Sequence, residues 1–353
     1  MSDVYKKLAA HLDNLPAGFP ATDSGVELRI LKRLFTLEEA EVATGLSMMP
    51  EPVESIAKRF DMEESRLGPI LESMSKKGLI GRYGKGARKG YMAAQFVIGI
   101  WEYHVKDLDE GLIKDFNEYI PYLMKDAVKT KTQQLRVIPI SRSVSAEMNI
   151  MPYEQAENII KSQSKIIVAP CICRTEHHMM GKGCDKPVET CMVFGTGAHY
   201  YEENGLGRPI SKDEAIEILN KGIEAGLVLQ PGNSQKPINI CMCCGCCCQI
   251  LKNIKKMQNP ARVVCTSYYA EVNKEECVAC GTCENRCPMN AINVDDVASV
   301  NTQRCIGCGV CVAGCEAGAM RLQEKEEGDK WVPPANIIET YANIARERGK
   351  RNF

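Results

Sequence analysis

Apolar side chains in the first part of the chain recur every three or four residues, as on one face of a helix. Leu28 and Leu31 belong to the first such pattern, and two further patterns start at Val53 and at Met62. Gly78 is placed to end the last of them, because glycine tolerates the left-handed conformation that often terminates a helix. The pattern therefore predicts three successive helices before residue 79.

The hydrophobic pattern beyond residue 100 predicts alternating helices and short strands. The predicted elements are helical structure over residues 101–135, a strand over Arg136–Ile140, a helix over Tyr153–Ser162, a buried strand over Lys165–Ala169, a helix from Ser211 to near Gly226, and an amphipathic helix that carries Ile337, Ile338, Tyr341 and Ile344 on one face. Ser211 followed three positions later by Glu214 is typical of a capping box, which marks the start of a helix.

The order of elements in residues 25–100 is three helices followed by a basic two-stranded loop at residues 84–90, which includes Lys85 and Arg88. This order resembles the winged-helix family, and the resemblance implies DNA binding. The presumed recognition helix, however, opens with Glu63 and Glu64, and a segment with 12 basic and 10 acidic side chains has little charge for phosphate contact. We favour docking to a partner or homodimer formation for this half, with DNA binding as the open alternative.

Length and charge narrow the classes of protein that this chain can be. Its 353 residues suggest two or three domains, and 44% apolar with 25% charged residues is typical of folded domains. The net charge of -1 argues against a dedicated nucleic-acid-coating protein.

Cysteine is the unusual component, with 19 residues that all lie between Cys171 and Cys315. The segment from Met1 to Pro20 has no continuous apolar stretch of the kind found in secretory leaders, and the apolar run from Met92 to Trp101 is too short to span a membrane. We therefore expect a cytoplasmic protein without a membrane span. In a reducing compartment, dense cysteine indicates metal binding.

Two cysteine runs with the spacing C-x2-C-x2-C-x3-C follow one another near the end of the chain. The first run is Cys277, Cys280, Cys283 and Cys287, and the second is Cys305, Cys308, Cys311 and Cys315. The repeat extends beyond cysteine, because Gly281 corresponds to Gly309 and Ala291 to Ala319 at the same 28-residue spacing. An internal duplication explains this pattern.

Residues 270–322 resemble the bacterial two-cluster ferredoxins, in which the fourth cysteine of each run binds the other cluster. The resemblance implies two 4Fe-4S clusters, one held by Cys277, Cys280, Cys283 and Cys315 and the other by Cys305, Cys308, Cys311 and Cys287. One departure is Glu316, which stands where the first run has Pro288. A pair of tetrahedral zinc sites is the alternative, but three evenly spaced cysteines in one loop, twice, favour the clusters.

The remaining cysteines fall mainly into two segments of the form PCxCR and ICxCCxCCC. They are Cys171, Cys173, Cys184 and Cys191 in the first region, and Cys241, Cys243, Cys244, Cys246, Cys247 and Cys248 in the second; Cys265 stands apart. Together with the ferredoxin motif, residues 136–322 are similar to a group of iron-sulfur proteins of anaerobes. That resemblance implies electron transfer without naming a substrate.

For a third site we predict one further 4Fe-4S cluster, with Cys171, Cys173, Cys184 and Cys191 as its ligands. If the second segment continues as a helix, Cys243 and Cys247 share one face, and a pair from it contributes to the site.

Two alternatives for this region remain open. The first is a structural zinc bound by Cys171, Cys173 and Cys184 with His177 or His178. The second is a redox-active thiol pair such as Cys243 and Cys244, whose pKa is lowered by Arg174 or by a helix N-terminus.

The sequence thus predicts an α+β, multidomain protein. Its predicted parts are a winged-helix-like helical domain over residues 1–100, a helical linker and cysteine-rich α/β domain over 101–265, a dicluster ferredoxin domain over 266–322, and a C-terminal amphipathic helix within 323–353. No nucleotide, flavin or nicotinamide motif is visible in the sequence, so we expect an electron carrier or an electron-transfer subunit of an anaerobic oxidoreductase that works with a redox partner. The alternatives are a redox-responsive winged-helix regulator and a thiol-disulfide reductase that uses Cys241 to Cys248.

Overall fold

The computed structural model describes residues 3–84, 86, 89–145, 148 and 150–350. The α-helices in these residues are α1 (Asp3–Asn14), α2 (Val26–Leu34), α3 (Leu37–Ala43), α4 (Val53–Phe60), α5 (Glu64–Lys76), α6 (Trp101–Tyr103), α7 (Glu110–Ala127), α8 (Ala156–Lys161), α9 (Ile172–Met179), α10 (Gly195–Glu203), α11 (Lys212–Glu224), α12 (Gln249–Lys255), α13 (Thr282–Arg286) and α14 (Ile337–Glu347). The strands are β1 (Ile80–Tyr83), β2 (Gly90–Ala93), β3 (Ile166–Pro170), β4 (Glu189–Phe194), β5 (Arg208–Ile210), β6 (Val228–Pro231), β7 (Asn239–Cys243), β8 (Tyr268–Val272), β9 (Ile292–Val294), β10 (Ala298–Val300) and β11 (Met320–Glu324).

The chain divides into two compact units. The first comprises Met1–Lys131, Thr196–Gly207 and Tyr341–Phe353, and the second comprises Thr132–Gly195 and Arg208–Thr340. All 19 cysteines lie in the second unit, together with the predicted ferredoxin segment. The predicted domain over 101–265 is divided, because its residues 101–131 and 196–207 belong to the first unit.

The first unit is helical around an aromatic core. Phe19 packs with its ring centroid 4.8 Å from that of Tyr119, and Trp101 stacks on Phe116 at 3.6 Å. These rings lie in the interior because burial of large apolar surface is the main favourable term in folding. Helix α3 is fixed at its start by a reciprocal capping box between Thr36 and Glu39.

The three helices predicted before residue 79 correspond to α2, α4 and α5, and the hairpin of β1 and β2 follows them, whereas α1 and α3 were not predicted. Gly78 terminates the last helix with a φ of +79°, and a Cβ there would lie 2.8 Å from the Cβ of Tyr103. The assignment of this segment to the winged-helix family stays a prediction. Lys85 and Arg88 of the predicted basic loop lie outside the described residues.

The second unit is built on a five-stranded antiparallel sheet with the strand order β5-β3-β4-β7-β6. One face of the sheet packs on helices α8 and α11, which bury a core that includes Met192, Ile240 and Met242. Because side chains alternate along a strand, Cys191, Cys241 and Cys243 point to the opposite face. Ser211 caps the start of α11, because its hydroxyl accepts a hydrogen bond from the Glu214 backbone N–H.

Two predicted elements differ from the structure. The predicted strand over Arg136–Ile140 is wrong, because its Ile138 forms an isolated bridge with Leu229, and the preceding Leu135 forms another with Gly232. The predicted helix over Tyr153–Ser162 is a short 3-10 turn followed by α8. Proline at the start of that turn and the extended backbone of Gln155 explain the interruption.

In the part of the chain that the structure describes, no helix has the length and apolar character needed to cross a bilayer.

Candidate metal centres

The duplicated cysteine runs fold as two equivalent halves that exchange strands. Strand β8 pairs with β11, and β10 pairs with β9. Val272 faces Met320 in the first pair, and Val300 faces Ile292 in the second. Val272 and Val300 are 28 residues apart, as are Ile292 and Met320, so the two strand pairs have the same register within the repeat.

The loops that carry the cysteines share their unusual backbone conformations. Positive φ angles occur at three pairs of positions spaced by the repeat: Ala279 (50°) and Gly307 (65°), Gly281 (75°) and Gly309 (73°), and Asn290 (50°) and Gly318 (69°). Glycine is needed in the second run because a Cβ at Gly307 would lie 2.3 Å from the carbonyl oxygen of Tyr268.

Backbone N–H groups of each half point at sulfur atoms of the other. The N–H of Ala270 donates to Cys305 Sγ at 3.3 Å, and the N–H of Ala298 donates to Cys277 Sγ at 3.3 Å. The two halves are thus connected by hydrogen bonds to the predicted ligands as well as by the pairing of their strands.

The first predicted ligand set surrounds one pocket. Cys277, Cys280, Cys283 and Cys315 all line it, and the remaining lining residues are mostly small or apolar, with Val294 and Met320 among them. A cavity lined by four thiols and apolar walls fits a cubane cluster, whose irons need sulfur ligands on four sides.

The second predicted set is more buried. Burial raises the pKa of Cys305, Cys308 and Cys311, and each of these three thiols also lies within the electrostatic influence of Cys287. Cys308 and Cys311 are buried, and Cys287 and Cys305 are half-buried. Thiols in such a place fit an iron site, because bound metal stabilises the thiolate that burial disfavours.

A separate group of four thiols, which we call the tetrad, consists of Cys184, Cys244, Cys246 and Cys247. Cys184 lies in the loop between α9 and β4, and the other three lie in the turn between β7 and α12. Their sulfur atoms are all within 4.8 Å of one another. Cys244 and Cys247 are buried, whereas Cys246 is exposed.

Arg174 is fully buried beside the tetrad. Its guanidinium donates to Cys244 Sγ at 3.7 Å, to Met242 O at 3.1 Å and to the hydroxyl of Thr190. Burial by itself raises the pKa of Cys244, but hydrogen bonds from the Cys247 backbone N–H, Cys246 and Arg174 lower it to about 7. The arrangement favours a thiolate at Cys244.

A second group, which we call the hexad, consists of six thiols: Cys171, Cys173, Cys191, Cys241, Cys243 and Cys248. Cys191 and Cys241 are direct cross-strand neighbours, and Cys248 is the residue directly before the first residue of α12. Side-chain contacts join the six sulfurs in a chain: Cys173 contacts Cys171 and Cys248, Cys243 contacts Cys248 and Cys241, and Cys241 contacts Cys191. Asn239 and Gln230 donate to this chain, to Cys241 Sγ at 3.7 Å and to Cys248 Sγ at 4.0 Å.

These contacts divide the four predicted ligands of the third cluster between the two groups. Cys184 belongs to the tetrad, while Cys171, Cys173 and Cys191 belong to the hexad.

The other residues considered for this region are placed as follows. Cys243 ends strand β7 and α12 begins only at Gln249, so the continuous helix that would align Cys243 with Cys247 is wrong. His177 contacts the Cys173 carbonyl through Nδ1 at 2.7 Å and Lys252 through Nε2 at 2.8 Å, and His178 is exposed. Neither histidine belongs to the tetrad.

Part of the chain matches a known protein family. Residues 276–320 match the family described as 4Fe-4S dicluster domain. Neither the curated proteins nor the solved structures contain a match to the chain. The C-terminal part of the second unit therefore contains a ferredoxin-type, iron-sulfur-binding domain.

Proposed function

We propose that this chain is an iron-sulfur electron-transfer protein, acting as a carrier or as a subunit of an oxidoreductase. The observation that carries the proposal is the pocket lined by Cys277, Cys280, Cys283 and Cys315, three cysteines of one run and the last cysteine of the other, in a domain that matches the dicluster family. By the same repeat, Cys305, Cys308, Cys311 and Cys287 hold the second cluster.

The residues around these thiolates give the cluster sites apolar surroundings and stabilise the negative charge on sulfur. The clusters, when bound, supply single-electron oxidation and reduction. Apolar side chains such as Val294 and Met320 line the pocket beside the sulfur ligands, and the backbone N–H groups of Ala270 and Ala298 stabilise negative charge on Cys305 and Cys277. Both features favour holding an added electron without loss of the ligands.

The hexad is proposed as the third iron-sulfur site. It retains Cys171, Cys173 and Cys191 from the predicted set, strand β7 adds Cys241 and Cys243, and the start of α12 adds Cys248. Its sulfurs form an extended chain, so it offers ligands across a wider span than one ion requires.

A single-electron carrier requires another protein as donor or acceptor, so we propose a redox partner and an anaerobic, cytoplasmic setting in which such clusters persist. The first unit is proposed to serve docking or homodimer formation. Its cations support this choice over DNA binding, since Arg82 pairs with Glu72 and Glu203, Lys89 pairs with Glu72, and Arg66 pairs with Glu38.

Anaerobic purification followed by iron and acid-labile sulfide analysis tests the proposal. We expect about eight iron and eight sulfide per chain from the dicluster domain, and about four more of each if the hexad holds a cubane. Reduction with dithionite should bleach the visible absorption and produce an EPR signal. Protein that is colourless and EPR-silent after anaerobic isolation and reduction would overturn it.

A further inference from the structure

The tetrad sulfurs are in contact with one another. Cys184 Sγ lies 3.6 Å from Cys247 Sγ and 4.0 Å from Cys244 Sγ, and Cys246 Sγ lies 3.9 Å from Cys247 Sγ. The group is therefore a compact set of four thiols, contributed by one loop and one turn that are 60 residues apart in sequence.

These separations match the size of a tetrathiolate bound to one ion. With a metal–sulfur bond of about 2.3 Å, the edge of a regular tetrahedron of four sulfurs is about 3.8 Å. A cubane needs a wider set, because each of its thiolates points outward from a different iron. Among the described residues, the tetrad is a group of metal-binding side chains whose ligand atoms all lie within 4.8 Å of one another. Neither the ferredoxin cysteines nor the hexad contains three sulfur atoms that are this close together.

We infer that Cys184, Cys244, Cys246 and Cys247 bind a single divalent ion, zinc or ferrous iron, in a mononuclear tetrathiolate site. Four thiolates and one divalent cation leave a net charge of about -2. Arg174 partly neutralises that negative charge, because its buried guanidinium donates to Cys244 Sγ. Burying such a charge is favourable only when a hydrogen-bonded partner is present.

The ion would join two distant segments of the chain. Cys184 belongs to the loop before β4, and Cys244 to Cys247 form the turn that leads into α12. We assign the site a positioning role, since the turn it closes carries Cys243 and Cys248 of the hexad on its two flanks. This inference goes beyond the proposed electron transfer and does not depend on the ferredoxin clusters.

Metal analysis of the full chain, purified anaerobically, tests the inference. Zinc, iron and sulfide are counted in the wild type, in a Cys184→Ser/Cys246→Ser variant, and in Cys265→Ala, which alters a cysteine outside both groups. The expected result is that the double variant alone loses one zinc, or one iron without any sulfide, while the remaining iron and sulfide are unchanged. Loss of about four iron with four sulfide from the double variant, or no loss of any metal, would overturn it.

X-ray absorption of the wild type keeps the inference testable if the double variant does not fold. A zinc edge with four sulfurs at about 2.3 Å and no neighbouring metal supports the site. If zinc is absent, one high-spin iron per chain in excess of the sulfide count supports it with iron as the ion. Zinc and excess iron both absent from the wild type would exclude it, whatever the result for the ferredoxin clusters.

Discussion

Gly245 and Pro288 touch through their backbones. A Cβ placed on Gly245 would lie 2.5 Å from the carbonyl oxygen of Pro288 and 2.9 Å from its Cα. Gly245 lies between two tetrad cysteines, and Pro288 directly follows Cys287 of the ferredoxin motif. The turn that carries most of the tetrad is therefore packed against the residue that follows a proposed cluster ligand, and glycine is required there for space.

Replacing Gly245 with alanine should destabilise the protein by about 2 kcal/mol, because one of the two backbones must move to admit the methyl group. The cluster held through Cys287 should also become more labile. The free energy of unfolding and the rate of absorbance loss in the presence of a chelator measure the two effects. Gly328→Ala is the matched control, since a Cβ there meets open space. Equal behaviour of the two variants would show that the contact carries no strain.

The exchange of ligands between the two cysteine runs makes a prediction about double variants. If Cys315 binds the same cluster as Cys277, then Cys277→Ser, Cys315→Ser and their combination should each remove about four iron. Cys277→Ser combined with Cys287→Ser should remove about eight, because it affects both clusters. Iron and sulfide analysis after anaerobic isolation checks this. The reverse pattern, with about eight lost from the pair of Cys277 and Cys315, would mean that each run serves its own cluster.

The ferredoxin-type domain could be recognised from the sequence because its spacing is local. Three ligands of each cluster lie in one short loop, and the repeat at Gly281 and Gly309 marks positions where φ is positive. The matching conformations at Ala279 and Asn290 were not foreseen, since neither residue type demands a left-handed backbone as glycine does.

The grouping of the other cysteines could not be predicted, because it depends on the register of the sheet. Cys191 meets Cys241 only because β4 pairs with β7 in one alignment, and a shift of β7 by one residue would turn Cys241 to the core face and away from Cys191. The run from Cys243 to Cys248 gave no signal for the change from strand to turn. Cys184 joins the tetrad through a loop whose path no local pattern defines.

Arg174 should be essential to the stability of the metal-loaded tetrad. Arg174→Gln removes the cation that donates to Cys244, and loss of one partner of a buried charge pair costs about 3 kcal/mol. Arg174→Lys should recover part of this loss, since it keeps the charge but cannot reach Cys244, Met242 and Thr190 together. Chemical unfolding of metal-loaded protein provides the comparison. The control is Arg208→Gln, at an exposed arginine paired with Glu189 and Glu214. A loss at Arg174 no larger than that at Arg208 would contradict the role.

His104 should make the first unit less stable in mild acid. Burial lowers its pKa, against the smaller raising effect of the hydrogen bond with the Ile100 carbonyl, so the folded state keeps the neutral ring. The unfolded chain takes up this proton near pH 6.5, and its contribution to stability is therefore complete above that pH and declines as the pH falls toward the lower folded-state pKa. His104→Gln should reduce the loss of unfolding free energy between pH 7.5 and 5.5 by about 1 kcal/mol. Unfolding followed by circular dichroism at a series of pH values measures the slope, and His199→Gln, at an exposed histidine of the same unit, is the control. Parallel slopes for the wild type and His104→Gln would show that this ring does not link protons to folding.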